Sequence, residues 1–380
     1  MKESIPDFAG SLTGELGKVK RKFVVDAITG IRGSRSLNLK RMAKALSEDV
    51  QIHATEKRLS RHLGHPDLAA TIGRHVLARA ARFIGQHTLL VIQTYDLTKR
   101  YATRMRIREG GVLGVSDGYR VLDIVATDMW IGRCVPVYSR IWPRHVPDDG
   151  NDALEYLTAV RAVAAATGGK GMYFGDERTA CLLARENLTS MSPIADDVDV
   201  EYRKQTRSVL ALRRNCRRPF GASAFRYDRQ EDLEEHHFLD YGALRVRLPN
   251  LSRRLSLLAV ESEWFGGGFL VANGMRHRRE EIYNSVYTWF EGLEAARAFR
   301  DYKAQFDLGS FRVLTYERLQ SLMAILHAAI YYELAVAREG LSFEPGVRFR
   351  PHAGDHPRNY LIPKERVPRS QLVRPGPWRY

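Results

Sequence analysis

Apolar residues recur every three or four positions from Lys18 to Ala81, which is the spacing of one face of a helix. The positions are Phe23, Val24, Ala27, Ile28, Ile31, Leu37, Met42, Ala43, Leu46, Leu59, Leu63 and Ile72. The pattern predicts a small helical bundle over residues 1–82. We expect Ser36 and Thr55 to cap two of its helices, because hydroxyl oxygens accept from the free amides of a helix N-terminus.

The period changes after this region to short, nearly continuous or alternating apolar runs that are typical of buried strands. The predicted elements are strands at 88–95 (TLLVIQTY), 118–127 and 133–141, a helix at 151–166 and a short strand at 171–174. Three strands, a helix and a further strand are how a ribonuclease-H-like core begins. The expected fold class is therefore α/β, with the first part of this core over residues 83–195.

Alternating patterns return between 196 and 275, where we expect a β-rich insertion. Its candidate strands are 208–212, 222–227, 243–248 and 255–262. Helical spacing at 280–303 and 315–338 then predicts the second part of the core over 276–342. Residues 343–380 are rich in proline and basic residues and predict a basic C-terminal arm.

The net charge narrows the class of partner. Fifty-nine Lys and Arg against forty-four Asp and Glu leave +15, spread along the chain. A phosphate backbone favours such a field of cations through counterion release, so nucleic acid is the expected partner. Three cysteines are too few for a disulfide framework or a zinc cluster, which favours a reducing cytosol. We expect no secretory segment and no membrane span.

Basic side chains are concentrated on the predicted N-terminal helices. They are Lys40, Arg41, Lys44, Lys57, Arg58, Arg61 and His62. One interpretation is a DNA-contacting surface of the helix-turn-helix kind, and the other is an ordinary solvated helix face.

Asp96 stands at the end of the best-defined predicted strand, in VIQTYDLTKRYA. A carboxylate at the end of a buried strand can hold Mg²⁺, which takes one or two carboxylates together with water and phosphate oxygens. The alternative is an Asp that caps a loop together with Thr98.

Residues 95–102 (YDLTKRYA), followed by GYRV at 118–121, resemble the first catalytic block of bacterial insertion-sequence DDE transposases, where an Asp precedes such a run. The basic segments ITGIRGSRSLNLKRMAKALSED and TEKRLSRHL are similar to the N-terminal domain of that family. The resemblance covers residues 20–340.

The second and third blocks match in part. In GMYFGDERTACLLA, Asp176 stands at the expected end of a short strand. In VYTWFEGLEAARAFRDYK, Tyr287 and Glu294 keep the spacing of the family's Tyr-Arg-Glu-Lys signature, while Phe290 stands where the signature has Arg. Arg300 and Lys303 supply the basic residues, and Glu291 is a rival for the third carboxylate.

The resemblance implies a hairpin-forming, cut-and-paste transposase that cleaves transposon ends and joins them to target DNA. Asp96, Asp176 and Glu294 would be the catalytic carboxylates and hold two Mg²⁺ ions, with Mn²⁺ as a substitute. The implied DNA contacts are Lys99, Tyr287, Arg300 and Lys303, added to Lys40, Arg41, Lys57, Arg58 and Arg61. A homodimer on double-stranded DNA and a cytoplasmic, nucleoid-associated location in bacteria are also implied.

Two other functions stay open on the sequence. Phe290 and the altered second block are compatible with a catalytically inactive, transposase-derived DNA-binding protein. A structure-selective nuclease would cut DNA of suitable shape without joining it.

Overall fold

The computed structural model describes residues 3–97, 105–109, 112–116, 118–128, 133–143, 149–213, 216–228, 233–262, 266–275, 277–338 and 347–351. Contacts divide the chain into two compact units. The first comprises residues 1–175 and 292–344, and the second comprises residues 176–291 and 345–380. The fold is mixed α/β, as predicted.

The helices are α1 (Ile5–Thr13), α2 (Gly17–Ser34), α3 (Leu39–Ala45), α4 (Ile52–Leu63), α5 (Leu68–Ala81), α6 (Asp149–Thr167), α7 (Ala180–Arg185), α8 (Val209–Arg213), α9 (Arg279–Ala304) and α10 (Tyr316–Tyr331). The strands are β1 (Leu89–Leu97), β2 (Met105–Glu109), β3 (Val112–Ser116), β4 (Tyr119–Asp128), β5 (Arg133–Pro143), β6 (Met172–Phe174), β7 (Ser190–Pro193), β8 (Asp199–Tyr202), β9 (Gln205–Ser208), β10 (Phe220–Asp228), β11 (Leu233–Val246), β12 (Leu255–Ser262), β13 (Gly266–Asn273) and β14 (Val347–Pro351).

The sheet of the first unit contains strands in the order β6-β1-β4-β5. β1 is antiparallel to β4 and parallel to β6, and β4 is antiparallel to β5. The apolar start of β1, Leu89–Ile92, is buried, as expected of a strand covered on both faces. The predicted strands at 88–95, 118–127, 133–141 and 171–174 and the helix at 151–166 are confirmed within a few residues.

Helix α10 is the central helix of the first unit and packs against α2, α5 and β5. It continues as a wider π-helix over Tyr332–Ala337. The whole segment Tyr316–Ala337 is long and apolar enough to cross a membrane, but 78% of its most apolar window is buried in the protein, as in a core helix. The basic N-terminal helices therefore belong to the same compact unit as the sheet.

The predicted N-terminal helices are present, but the predicted caps are wrong. Asn38 caps α3, since its side-chain oxygen accepts from the backbone amides of Lys40 and Arg41. The Ser36 hydroxyl instead contacts Ser310 and accepts from the Asn38 amide. Thr55 lies inside α4, where its buried hydroxyl donates to Glu48.

The second unit is built on six strands in the order β14-β10-β11-β12-β13-β7, and each neighbouring pair is antiparallel. The predicted insertion, residues 196–275, lies within this unit. Strands at 222–227 and 255–262 are confirmed, whereas 208–212 forms the short helix α8, whose Val209 and Leu212 are buried in the core. β14 pairs with β10, so residues 347–351 of the predicted basic arm form a strand, and 352–380 lie outside the described residues.

Helix α9 supplies residues to both units, with the division between Glu291 and Gly292. Within the first unit, Gly292 lies against the ring of Phe174 on β6. A Cβ atom at this position would stand 2.7 Å from that ring. Because Gly292 has no side chain, α9 can approach β6 this closely.

Candidate functional site

Asp96 lies near the carboxyl end of β1, directly opposite Arg120 of β4. Arg120 Nε donates to Asp96 Oδ1 at 3.1 Å, and the Asp96 side chain is 41% exposed. The same guanidinium forms an ion pair with Asp152 on α6. The predicted position at a strand end is confirmed, and Arg120 holds the carboxylate at the solvent boundary.

Asp176 follows β6 by two residues and belongs to the second unit. Its Oδ1 accepts from the backbone amide of Thr179 at 3.0 Å, and Arg178 Nε lies 3.4 Å from Oδ2. These contacts stabilise the turn that leads into α7. Asp176 therefore stabilises this turn, in addition to the catalytic role predicted for it.

Two glutamates less than one turn apart on α9, Glu291 and Glu294, have different surroundings. Glu291 is 2% exposed, and neither of its carboxylate oxygens meets hydrogen-bonding geometry with any described residue. Burial raises the pKa of Glu291 to about 7, while the Tyr287 hydroxyl acts in the opposite direction. Glu294 is partly exposed. A buried carboxylate with no opposite charge beside it among the described residues is the kind of group found at catalytic and cation-binding positions, so Glu291 stays a rival for the third ligand.

The donor chemistry suits Mg²⁺, because carboxylate oxygens are its preferred protein ligands. Within the described ranges, however, no group of three His, Cys, Asp or Glu side chains is arranged to hold a metal ion. The joint role of Asp96, Asp176 and Glu294 stays a prediction.

Lys303 is buried in the first unit, at odds with its predicted contact to DNA phosphates. Its Nζ donates to the two carboxylate oxygens of Asp123 on β4 at 2.6 and 2.9 Å, and both residues are at most 2% exposed. The ammonium group also lies 5.2 Å from the centre of the Tyr95 ring. His327 lies nearby, and burial lowers its pKa to about 4. Lys303 is therefore an internal residue that joins α9 to the sheet.

Sequence reasoning missed Asp123, although the sequence carried a signal for it. Asp123 is the single acidic residue in the apolar run YRVLDIVA of β4. An acidic residue between apolar neighbours in a strand predicts a buried partner of opposite charge.

The other α9 candidates differ in exposure. Arg300 is exposed and remains available to an anionic ligand. Tyr287 is half-buried, and burial raises the pKa of its hydroxyl. The DNA contacts of Arg300 and Tyr287 stay predictions. Lys99 lies outside the described residues.

Most of the basic candidates on α3 and α4 face solvent. Lys40, Arg41, Lys57 and Arg61 are exposed, and Arg41 forms a surface ion pair with Asp307. These helices pack on each other, as the two helices of a DNA-contacting pair do.

Arg58 differs from the other basic residues of this set because it is paired with two carboxylates. Its guanidinium donates to Glu48 at 2.7 Å and to Asp26 at 3.1 Å. The hydrogen bond from Arg58 is the main cause that lowers the pKa of Glu48. Arg58 therefore joins α4 to α2 and to the segment after α3, and a phosphate would have to compete with two carboxylates for it.

No family model and no curated protein matches this sequence. Among solved structures, the chain is similar to the piggyBac transposase in a cryo-electron microscopy structure of its synaptic complex with hairpin DNA. The TM-score is 0.38 at 12% identity, and the match covers 86% of this chain and 68% of that chain. The likeness is distant.

Proposed function

We propose that this protein is a DNA transposase that cleaves transposon ends and joins them to target DNA in the bacterial cytoplasm. The observation that carries the proposal is the position of Asp96 on β1, between an antiparallel and a parallel neighbour. The order β6-β1-β4-β5 is the one expected of a ribonuclease-H-like core. The residues around Asp96 are also those that resemble the first catalytic block of DDE transposases.

The exposed cations of α3 and α4 would bind duplex DNA. Lys57 and Arg61 are one turn apart on α4, opposite the buried Leu59 and Leu63. Cations on such a face neutralise phosphates and position a protein on DNA without reading its sequence. A homodimer that holds two transposon ends is part of the proposal.

Asp96, Asp176 and Glu294 would hold two Mg²⁺ ions, with Mn²⁺ as a substitute. Once bound, such ions stabilise the charge that develops on the attacking and leaving oxygens of a phosphodiester. Arg120 keeps the Asp96 carboxylate at the end of β1 through its 3.1 Å contact. Arg300, exposed on α9, would contact a neighbouring phosphate.

Asp96→Asn should abolish cleavage while DNA binding is retained. The full chain is incubated with Mg²⁺ and labelled duplexes that carry the DNA sequences flanking its coding region. We expect the wild type to nick and join these ends, and Asp96→Asn to nick them at least about 100-fold more slowly, because removal of even an indirect metal partner has effects approaching this size. Asp301→Asn, an exposed acid on α9, is the control and should keep wild-type activity.

A wild type that binds these ends without nicking them would favour the inactive, transposase-derived protein instead. That function is motivated by Phe290, which stands where the family's signature has Arg, and by the altered second block at Asp176. Nicking of unrelated DNA without joined products would favour the structure-selective nuclease.

Lys57→Gln and Arg61→Gln should each weaken binding to duplex DNA. For each variant, the loss of affinity should be the same whatever the DNA sequence. Each lost phosphate contact should reduce the slope of log affinity against log salt concentration by about 1, measured by fluorescence anisotropy. Arg74→Gln is the control, since Arg74 is an exposed cation of α5 that pairs with Glu15. Unchanged slopes in both α4 variants would remove this helix from the DNA-contact surface.

A further inference from the structure

A cavity of about 720 Å³ lies in the first unit, beside the last turn of α5 and the π-helical segment Tyr332–Ala337. Its volume is within the range of about 300–1,000 Å³ that is typical of small-molecule sites. The residues that give it its chemistry are Glu3, Arg79, Arg82, Phe83, Tyr331 and Arg338. None of them is among the proposed catalytic or duplex-contacting residues.

The charge of this cavity is positive. Arg79 is matched by Glu3, with 2.5 Å between Nη2 and a carboxylate oxygen, and its guanidinium also lies 5.2 Å from the centre of the Phe8 ring. Arg82 and Arg338 are exposed and form no ion pair with a described residue. Two planar guanidinium groups thus remain available on the cavity wall, and each can donate two hydrogen bonds to the oxygens of a phosphate.

The cavity also carries an exposed aromatic ring. Phe83 is 61% exposed, although most large apolar side chains of the first unit are buried. An exposed ring beside free arginines provides the two contacts that unpaired nucleotides use, namely stacking on the base and charge against the phosphate. Tyr331, which is buried, forms part of the cavity wall.

The π-helix is a second, independent observation at this place. Helix α10 widens from Tyr332 to Ala337 at the point where it lines the cavity, and it ends at Arg338 in the left-handed conformation, with φ of 54°. Wide turns of this kind occur frequently at functional sites. The widening positions Arg338 beside the cavity.

We propose that this cavity binds one nucleotide of an unpaired DNA strand, with the phosphate at Arg82 and Arg338 and the base stacked on Phe83. The inference rests on the proposed function only in taking DNA as the partner. It requires neither Asp96 nor cleavage.

The test is binding of short labelled oligonucleotides to the full chain, followed by fluorescence anisotropy. The ligands are an unpaired strand, the same strand with abasic sites, and a free deoxynucleoside monophosphate as competitor. Phe83→Ala should weaken binding of the natural strand roughly tenfold and leave the abasic strand unchanged, and Phe83→Trp should restore the loss. Arg82→Gln should weaken both strands and reduce the salt slope by about 0.7.

Arg74→Gln on α5, the helix that precedes Arg82 and Phe83, is the matched control and should bind as the wild type does. Equal affinity of wild type and Phe83→Ala for the natural strand would overturn the proposal, as would a wild type that binds both strands equally. A free monophosphate that binds as tightly as the strand would also overturn it, because the ligand would then be a free nucleotide. Duplex binding and nicking by the wild type test the transposase proposal separately.

Discussion

Replacing Lys303 with methionine is expected to lower the free energy of unfolding by about 3–5 kcal/mol, measured by urea denaturation of the full chain. Lys303 and Asp123 form a hydrogen-bonded ion pair that is almost completely buried. Without the ammonium group, the Asp123 carboxylate would remain in the core with no opposite charge. A buried charge without a partner is among the largest single sources of destabilisation in proteins.

The combined variant Asp123→Leu with Lys303→Met separates this cause from a simple loss of packing. It should regain most of the lost stability, since exchange of a whole buried pair for apolar residues is often neutral. Arg297→Gln is the matched control on α9, because Arg297 pairs loosely with Asp301 at 3.9 Å on the surface. Its effect should stay within about 0.5 kcal/mol. If Lys303→Met were as stable as the wild type, Lys303 would not be the buried partner of Asp123.

The positions of most elements could be predicted because their signal is local. The apolar face of α9 and the apolar run of β12 each repeat with the period of their own structure, so the boundaries fall within a residue of those expected. The short helix α8 could not be predicted in this way. Residues 208–212 (SVLAL) are five residues long and nearly all apolar, and such a run suits a buried strand or one helical turn equally.

The caps show a second limit. Ser36 and Asn38 are both good N-cap residues two positions apart, and the sequence contains no rule that ranks them here. Tertiary contacts decide, because Ser36 is buried against Ser310, which is far away in the chain. The same reason explains Lys303. Its position on a helix was predictable from local periodicity. Its partner Asp123 was not, because it lies 180 residues earlier in the chain.

The position of Asp96 near a strand end was predictable, because the apolar run that precedes it is a local signal. Which glutamate of α9 is buried was not predictable, because Glu291 and Glu294 differ by less than one turn and a spacing rule cannot separate them. Burial depends on what packs against the helix. The carboxyl group of Glu291 is buried, and a stability measurement can detect this burial.

The stability of the wild type relative to a Glu291→Gln variant should fall by about 2 kcal/mol between pH 5 and pH 8. The pKa of Glu291 is about 7 in the folded protein, against an ordinary value of 4.5. Above pH 4.5 the unfolded chain releases this proton while the folded chain retains it, so folding becomes less favourable until the pH passes 7. Glutamine does not titrate, and the difference between the two proteins isolates this one group.

Urea denaturation of both proteins at several pH values gives this difference, and Glu294→Gln on the same helix is measured in parallel. A pH-independent difference for Glu291→Gln would mean that its carboxyl group is solvated or paired in the folded chain. Addition of Mg²⁺ at pH 8 then gives a sharper result, because an ion that binds Glu291 should stabilise the wild type and not the variant. Proteins keep such destabilising groups mainly where function requires them, so a Mg²⁺ effect confined to Glu291 would identify it, and not Glu294, as the acidic ligand on α9.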